Sequence, residues 1–294
     1  MESAAAGPTF PAGCHSMRAM TLLSVVTPVR NQARYLAETL DSVAALRTPH
    51  EHVVVDGGSD DGTVELLERR RDPSLVWSSA PDRGQTHAVN KGFERARGDL
   101  VAWLNGDDAY VPDAVDRAVA HLAANPQLQA IYGGQEYINA DGEVIRTFVP
   151  KRFSWRRYLY LGDNVPTPTV IFRREVLERE GGLDESYADA ADYDFYLRIL
   201  GNGLVEPIRE PLVRFRYHEG SKTGSNIALQ LDEGLAIRLK RAPGPLSRTS
   251  MRVLERTKRA VLPRISSWPN PEPRGLNRIN AALTGSRRRR SPSA

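Results

Sequence analysis

Residues 100–110 read LVAWLNGDDAY. The apolar run 100–104 fits a short buried strand, and it leads directly into Asn105, Gly106, Asp107 and Asp108. Two adjacent carboxylates at the exposed end of a buried strand repel each other. Such a pair persists most easily with a cation between or beside it, and a hard divalent metal is the natural candidate.

Upstream of this stretch the pattern alternates in the α/β manner. Strands are predicted at 22–27, 52–55 and 75–77, and helices at 34–46, from about 63 through 68, and at 86–97. Downstream, 113–124 is a periodic helix stopped before Pro126. Short strands at 130–132 and 144–148 flank a turn at Asp141-Gly142. Helices at 155–161, 174–179 and 191–200 and strands at 169–172 and 212–217 complete the pattern.

In open sheets of this kind, ligands sit beyond the carboxyl ends of the strands. Four polar clusters fall there: Thr27-Pro28 with Asn31, the loop DGGSDDGT from Asp56, Asp82-Arg83-Gly84-Gln85, and Asn105 to Asp108. The DGGSDDGT loop is not an EF-hand, because Asp61 and Leu67 stand where Gly and Glu are needed, and it lacks the Gly-Lys-Ser/Thr of a P-loop. Asp56 either accepts hydrogen bonds from a base or ribose or belongs to a capped strand–helix turn. Arg83 and Lys91 are cationic candidates for a diphosphate, each otherwise a surface charge. Asp192 suits either a helix cap or a general base. His218 follows the last strand and is read as a metal ligand, a phosphate cover or a structural histidine.

Length, composition and charge bound the remainder. The chain has 294 residues and a net charge of +4, enough for one large domain or two small ones. From residue 236 onward the balance is +13, so an acidic body of −9 joins a basic tail ending in Arg287 to Arg290. No apolar run is long enough to cross a bilayer. The first 20 residues lack the order of a secretory signal and are expected to be a disordered leader. Cys14 stands alone, which excludes an intrachain disulfide and suits a cytoplasmic setting.

Taken together, SVVTPVRNQARYLAETLDSV, EHVVVDGGSDDGT, PDRGQTHAVNKGFERARGDLVAWLNGDD, VIFRREVLEREGGLDES, DYDFYLRI and RYHEGSKT resemble, in order, the family 2 glycosyltransferases. The resemblance covers residues 21 to 223. It implies a GT-A fold, a Rossmann-like, mostly parallel central sheet flanked by helices, in a domain over 21–225. A basic, partly helical or disordered extension would follow over 226–294. It implies inverting transfer of a sugar from a nucleotide-diphosphate donor to an acceptor hydroxyl, assisted by Mg2+ or Mn2+. Pro28 and Asp56 fall in the nucleotide pocket, which would also take Arg83, Lys91, Asn105 and Asp107. Asp107 and Asp108 fall in the metal motif, with Asp108 expected to coordinate directly, and His218 joins them. Asn105 replaces an Asp there, and Ala191 replaces the usual Glu before the base, Asp192.

The expected partners are a nucleotide sugar and a glycan or lipid-linked acceptor used in cell-surface polysaccharide synthesis. Peripheral contact with an anionic membrane is expected through the basic tail, and no nucleic-acid partner is expected. A sugar nucleotidyltransferase would carry a GTR-type loop where Thr27-Pro28-Val29-Arg30 stands. A non-catalytic binding protein of the same fold would have no need of Asp107, Asp108 and Asp192.

Overall fold

The computed structural model describes residues 21–161, 165–201, 203–218 and 227–266. The expected leader with Cys14, the end of the RYHEGSKT segment and Arg287 to Arg290 lie outside them.

The first half follows the predicted alternation: β1 (Leu23–Val29), α1 (Ala33–Ala44), β2 (His50–Asp56), α2 (Thr63–Arg69), β3 (Leu75–Ser79), α3 (Gln85–Arg95) and β4 (Leu100–Trp103). These four strands pair in parallel in the order β3-β2-β1-β4. Each crossover between them carries a helix, the usual connection between parallel strands.

After β4 come β5 (Ala109–Tyr110), α4 (Pro112–Ala124), β6 (Leu128–Ile138), β7 (Val144–Phe148) and α5 (Trp155–Leu161). A 3-10 turn (Thr167–Thr169), β8 (Val170–Arg173), α6 (Arg174–Glu180), α7 (Ala191–Ile199) and β9 (Leu204–Arg216) follow. The sheet continues β4-β8-β6-β9-β5 and is mixed beyond β4. β8 runs antiparallel to both β4 and β6, β9 runs parallel to β6, β5 pairs antiparallel with β9, and β7 adds antiparallel to β6.

This topology sets the location of the site. β1, β2, β3, β4, β6 and β9 all point the same way, so their carboxyl ends share one edge of the sheet. β8 points the other way, so the 3-10 turn that precedes it lies at that same edge.

Alternate strand residues feed apolar clusters on the two faces of the sheet. Val26, Val53, Val101 and Trp103 pack on one face with Phe93 of α3 and Phe195 and Tyr196 of α7. Val25, Leu100 and Ala102 pack on the other with Val43 of α1 and Val115, Val119 and Leu122 of α4. On the first face Phe93 stacks on Phe195 at 5.5 Å between ring centres. Pro28 fits inside β1 because β4 pairing ends at Val26, so no ladder bond on that side is lost.

Beyond residue 226 the described chain is helical: α8 (Ile227–Arg241) and α9 (Pro245–Ser266). Ile237 and Met251 join the cluster that holds Phe93 and Phe195. Arg238 pairs with Glu255 in a buried ion pair joining the two helices. No helix among the described residues is long and apolar enough to cross a membrane.

Candidate active site

At the end of β2, Asp56 is fully buried. One carboxylate oxygen accepts the Ser59 hydroxyl, and the other accepts the Gly58 and Ser59 amides, each at 3.0 Å, and the Ser79 hydroxyl at 2.6 Å. Burial alone would raise its pKa, but these donors together hold it below the usual carboxylate range. Asp56 therefore ties the loop into shape, with three donors on one oxygen and one on the other. The rest of the loop is tied to the start of α1. Asn31, at φ 53°, accepts the Asp60 amide at 3.0 Å and donates its own to Ser59 at 2.7 Å. Asp61 accepts the Ala33 amide at 2.9 Å.

The carboxylate that faces this loop from outside is Asp82. One oxygen accepts the Gly84 amide at 2.8 Å. The other stands 2.5 Å from where a Cβ on Gly57 would lie, so Gly57 is glycine because Asp82 approaches its backbone. Sequence reading noted Asp82 as part of its cluster without giving it a role.

Arg83 reaches across to Glu185 at 2.7 Å and so bridges the loop before α3 to the one before α7. Lys91, on α3, is half-buried and has no hydrogen-bond or ion-pair partner among the described residues.

At the end of β4, Asn105 Oδ1 accepts the Trp103 indole at 3.0 Å and the Gln85 amide at 3.1 Å, while its Nδ2 donates to Asp108 at 3.0 Å. An aspartate here could not make that last bond. Gly106 leaves no room for a side chain, since a Cβ would fall 2.1 Å from Gln32 Oε1. The Thr39 hydroxyl donates to the Gly106 and Asp108 carbonyls at 2.9 and 2.6 Å, pinning the turn to α1.

The two aspartates point differently. Asp108 is 1% exposed. One of its oxygens takes the Arg216 amide at 2.9 Å and the other takes Asn105. Burial first, then the neighbouring Asp107, pushes its carboxyl well above the usual range. Direct coordination was expected of Asp108, but its side chain is buried and both its oxygens are engaged by Arg216 and Asn105. Asp107 is the more open, and one of its carboxylate oxygens lies 3.1 Å from His218 Nε2. His218 sits just after β9 and packs on Tyr35 at 4.7 Å between ring centres.

Arg216, 2% exposed, gathers these parts. Its side chain donates to the Asp107 carbonyl at 3.1 Å and to the Asn139 and Ala140 carbonyls at 3.2 and 3.3 Å. It also pairs with Glu38 and lies over the Tyr35 ring. Neither Arg216 nor Tyr35 was singled out from sequence.

Asp192 lies in the first turn of α7. It accepts the Thr167 hydroxyl at 2.8 Å and the Tyr193 amide at 2.7 Å. Thr167 belongs to the 3-10 turn at the shared sheet edge, so α7 brings Asp192 to the same edge as the Asn105–Asp108 turn. Asp194, on the same helix, turns inward to Arg198 and Arg241 and is structural.

The sequence matches the model of glycosyl transferase family 2 over residues 24–181, more than half of the chain. The protein belongs to family 2 of the glycosyltransferases. It is 33% identical over 187 residues to an uncharacterized glycosyltransferase of Mycobacterium tuberculosis, covering 62% of this chain and 70% of that one. It is 29% identical over 218 residues to the O-antigen biosynthesis protein RfbC of Myxococcus xanthus, covering 72% of this chain and 17% of that one. Among solved structures, S. aureus TarS 1-349 in complex with UDP-GlcNAc matches with a TM-score of 0.61 at 20% identity, covering 79% of this chain and 70% of that one. A mannosyltransferase from Pyrobaculum calidifontis in complex with GDP-Man and Mn2+ matches with a TM-score of 0.56 at 23% identity, covering 90% and 80%. The family 2 enzyme thus has the GT-A fold, as its motifs imply.

Proposed function

We propose that this glycosyltransferase moves a sugar from a nucleotide diphosphate to an acceptor hydroxyl with inversion, in the building of a glycan or cell-surface polysaccharide. The observation that carries the reading is the approach of His218 Nε2 to Asp107 beside the clamped turn after β4.

The donor's diphosphate would lie against that turn, with half-buried Lys91 and the Arg83 loop supplying cationic character. Its base would enter between the Gly57 backbone and Asp82, with Pro28 and the Asp56 loop forming the wall. No group of three or more His, Cys, Asp or Glu side chains gathers for a metal among the described residues. Asp107 and His218 would nevertheless hold a divalent ion, with the remaining positions left for a diphosphate. An imidazole nitrogen beside a carboxylate suits Mn2+ better than Mg2+, which prefers oxygen alone. When bound there, such an ion supplies Lewis-acid neutralisation of the leaving diphosphate.

Asp192 takes the proton of the attacking hydroxyl, a role worth about 10²–10⁴-fold in rate. Thr167 fixes its orientation. A single base acting opposite the leaving group gives inversion, and no second carboxylate is assigned as a nucleophile. The acceptor would be a glycan or lipid-linked sugar entering past residues 133–167, and the enzyme would work in the cytoplasm or at the inner membrane face. A panel of UDP-, GDP- and dTDP-sugars tested for Mn2+-dependent donor hydrolysis decides the reading. Turnover of one nucleotide class supports it, and no turnover or binding of any member removes it.

A further inference from the structure

Six exposed cations on and beside α5 and α9 have no ion-pair partner among the described residues. On α9, Arg248, Arg252 and Arg256 recur every fourth residue, so they share one side of the helix, and all three are exposed. The only acidic residue in the α9 sequence, Glu255, is turned inward to Arg238, with the two side chains 3% and 6% exposed. Met251 is buried on that inner side.

The stripe continues onto α5. The Tyr160 hydroxyl donates to Ser247 at 2.7 Å, which joins the two helices. Arg156 lies one helical turn before Tyr160, and Lys151 and Arg152 precede α5; all three are exposed. None of the six forms an ion pair among the described residues. Some exposed arginines elsewhere are matched, as in Arg117–Glu210 and Arg174–Glu178. Farther along α9 the sequence adds Lys258, Arg259 and Arg264.

We propose that this α5–α9 face docks the enzyme on an anionic lipid bilayer. Val253 is 56% exposed between Arg252 and Arg256, and an apolar side chain among arginines suits the headgroup boundary. A nucleic acid fits less well, because α9 carries no aromatic residue on which a base would stack. The docking stands independently of the donor. Its consequence rests on the glycosyl-transfer reading: α8 packs on both α9 and α7, so a docked α9 holds the helix bearing Asp192 close to the bilayer, where a lipid-linked acceptor would be presented.

The test is co-sedimentation of the full chain with phosphatidylcholine vesicles, with and without about 30% phosphatidylglycerol, at about 0.1 M salt. Binding is expected only with the anionic lipid, and about 0.5 M salt should release it. The triple variants K151Q/R152Q/R156Q and R248Q/R252Q/R256Q, with Arg287 to Arg290 intact, are each expected to lower partitioning by about tenfold or more. Donor hydrolysis by R248Q/R252Q/R256Q, measured without vesicles, should stay unchanged, which separates failure of docking from failure of the catalytic reading. Binding by the sextuple variant equal to that of the unaltered chain would overturn the proposal. So would equal binding to neutral vesicles, persistence in high salt, or tighter binding to an RNA oligomer that the same variants abolish.

Discussion

The Arg216 backbone amide donates to Asp108 at 2.9 Å, and the Arg216 side chain closes over the Asp107 carbonyl at 3.1 Å. One residue of β9 therefore fixes both aspartates of the turn after β4. Asp108 faces the interior, and Asp107 is left toward His218. Replacing Arg216 by Met strips partners from the Asp107, Asn139 and Ala140 carbonyls. The expected loss of stability is about 3 kcal/mol, read by urea denaturation. Lysine should not restore it, because a single ammonium cannot match the guanidinium fork.

Asn105 supplies a second test. Its amide donates to Asp108, so Asn105→Asp turns that hydrogen bond into a repulsion. The variant is expected to melt several degrees lower than the unaltered chain in EDTA and to gain more from added Mn2+. A melting curve indifferent to both the substitution and the metal would separate the turn from any cation.

The base pocket is tested from two sides. Asp82→Ala is expected to raise the donor KM about tenfold with a smaller effect on kcat. Gly57→Ala should reproduce that effect, because its Cβ would meet the Asp82 carboxylate at 2.5 Å. Asp56→Ala should instead lower stability, since its carboxylate holds three donors of the loop and one of β3.

A pH test isolates His52. This histidine is buried in β2 with its Nε2 2.9 Å from the Thr27 hydroxyl. Burial, assisted by His50, pushes its pKa down from 6.5 to about 3. The folded chain holds it neutral, while the unfolded chain takes up a proton below 6.5. Its contribution to stability is therefore present above that pH and is lost as pH falls toward 3. In His52→Gln the slope of unfolding free energy between pH 4 and 6 should flatten by up to about 1.4 kcal/mol per pH unit. An unchanged slope would show that His52 titrates normally.

What the sequence disclosed follows from how local each signal is. β1 to β4 and their helices announce themselves through short apolar runs and helical spacing, and β7 and α5 fall at their expected bounds. β9 was expected only from residue 212, because Pro207, Pro211 and alternating charges mask its first half. The sequence predicts only 130–132 of β6 because Gly133 and Gly134 interrupt its strand pattern; in the fold they give Leu212 and Glu210 of β9 the room to approach. β5 is two residues long and carries no periodicity. Among the site residues, Asp107, Asp192 and His218 stood out by their company. Arg216 did not, because its partner Glu38 is 178 positions away and nothing near it in sequence predicts burial. Direct coordination was expected of Asp108 rather than Asp107 for the same reason, since what turns Asp108 inward is supplied by β9.

Calorimetric titration of UDP and GDP into the protein, with Mn2+ and with EDTA, tests the central claim most directly. Mn2+ is expected to tighten binding of one of the two nucleotides by about tenfold or more, and both Asp107→Asn and His218→Ala should abolish that gain while the fold melts as before. Equal affinity with and without the metal, or a gain that survives both substitutions, would contradict the account.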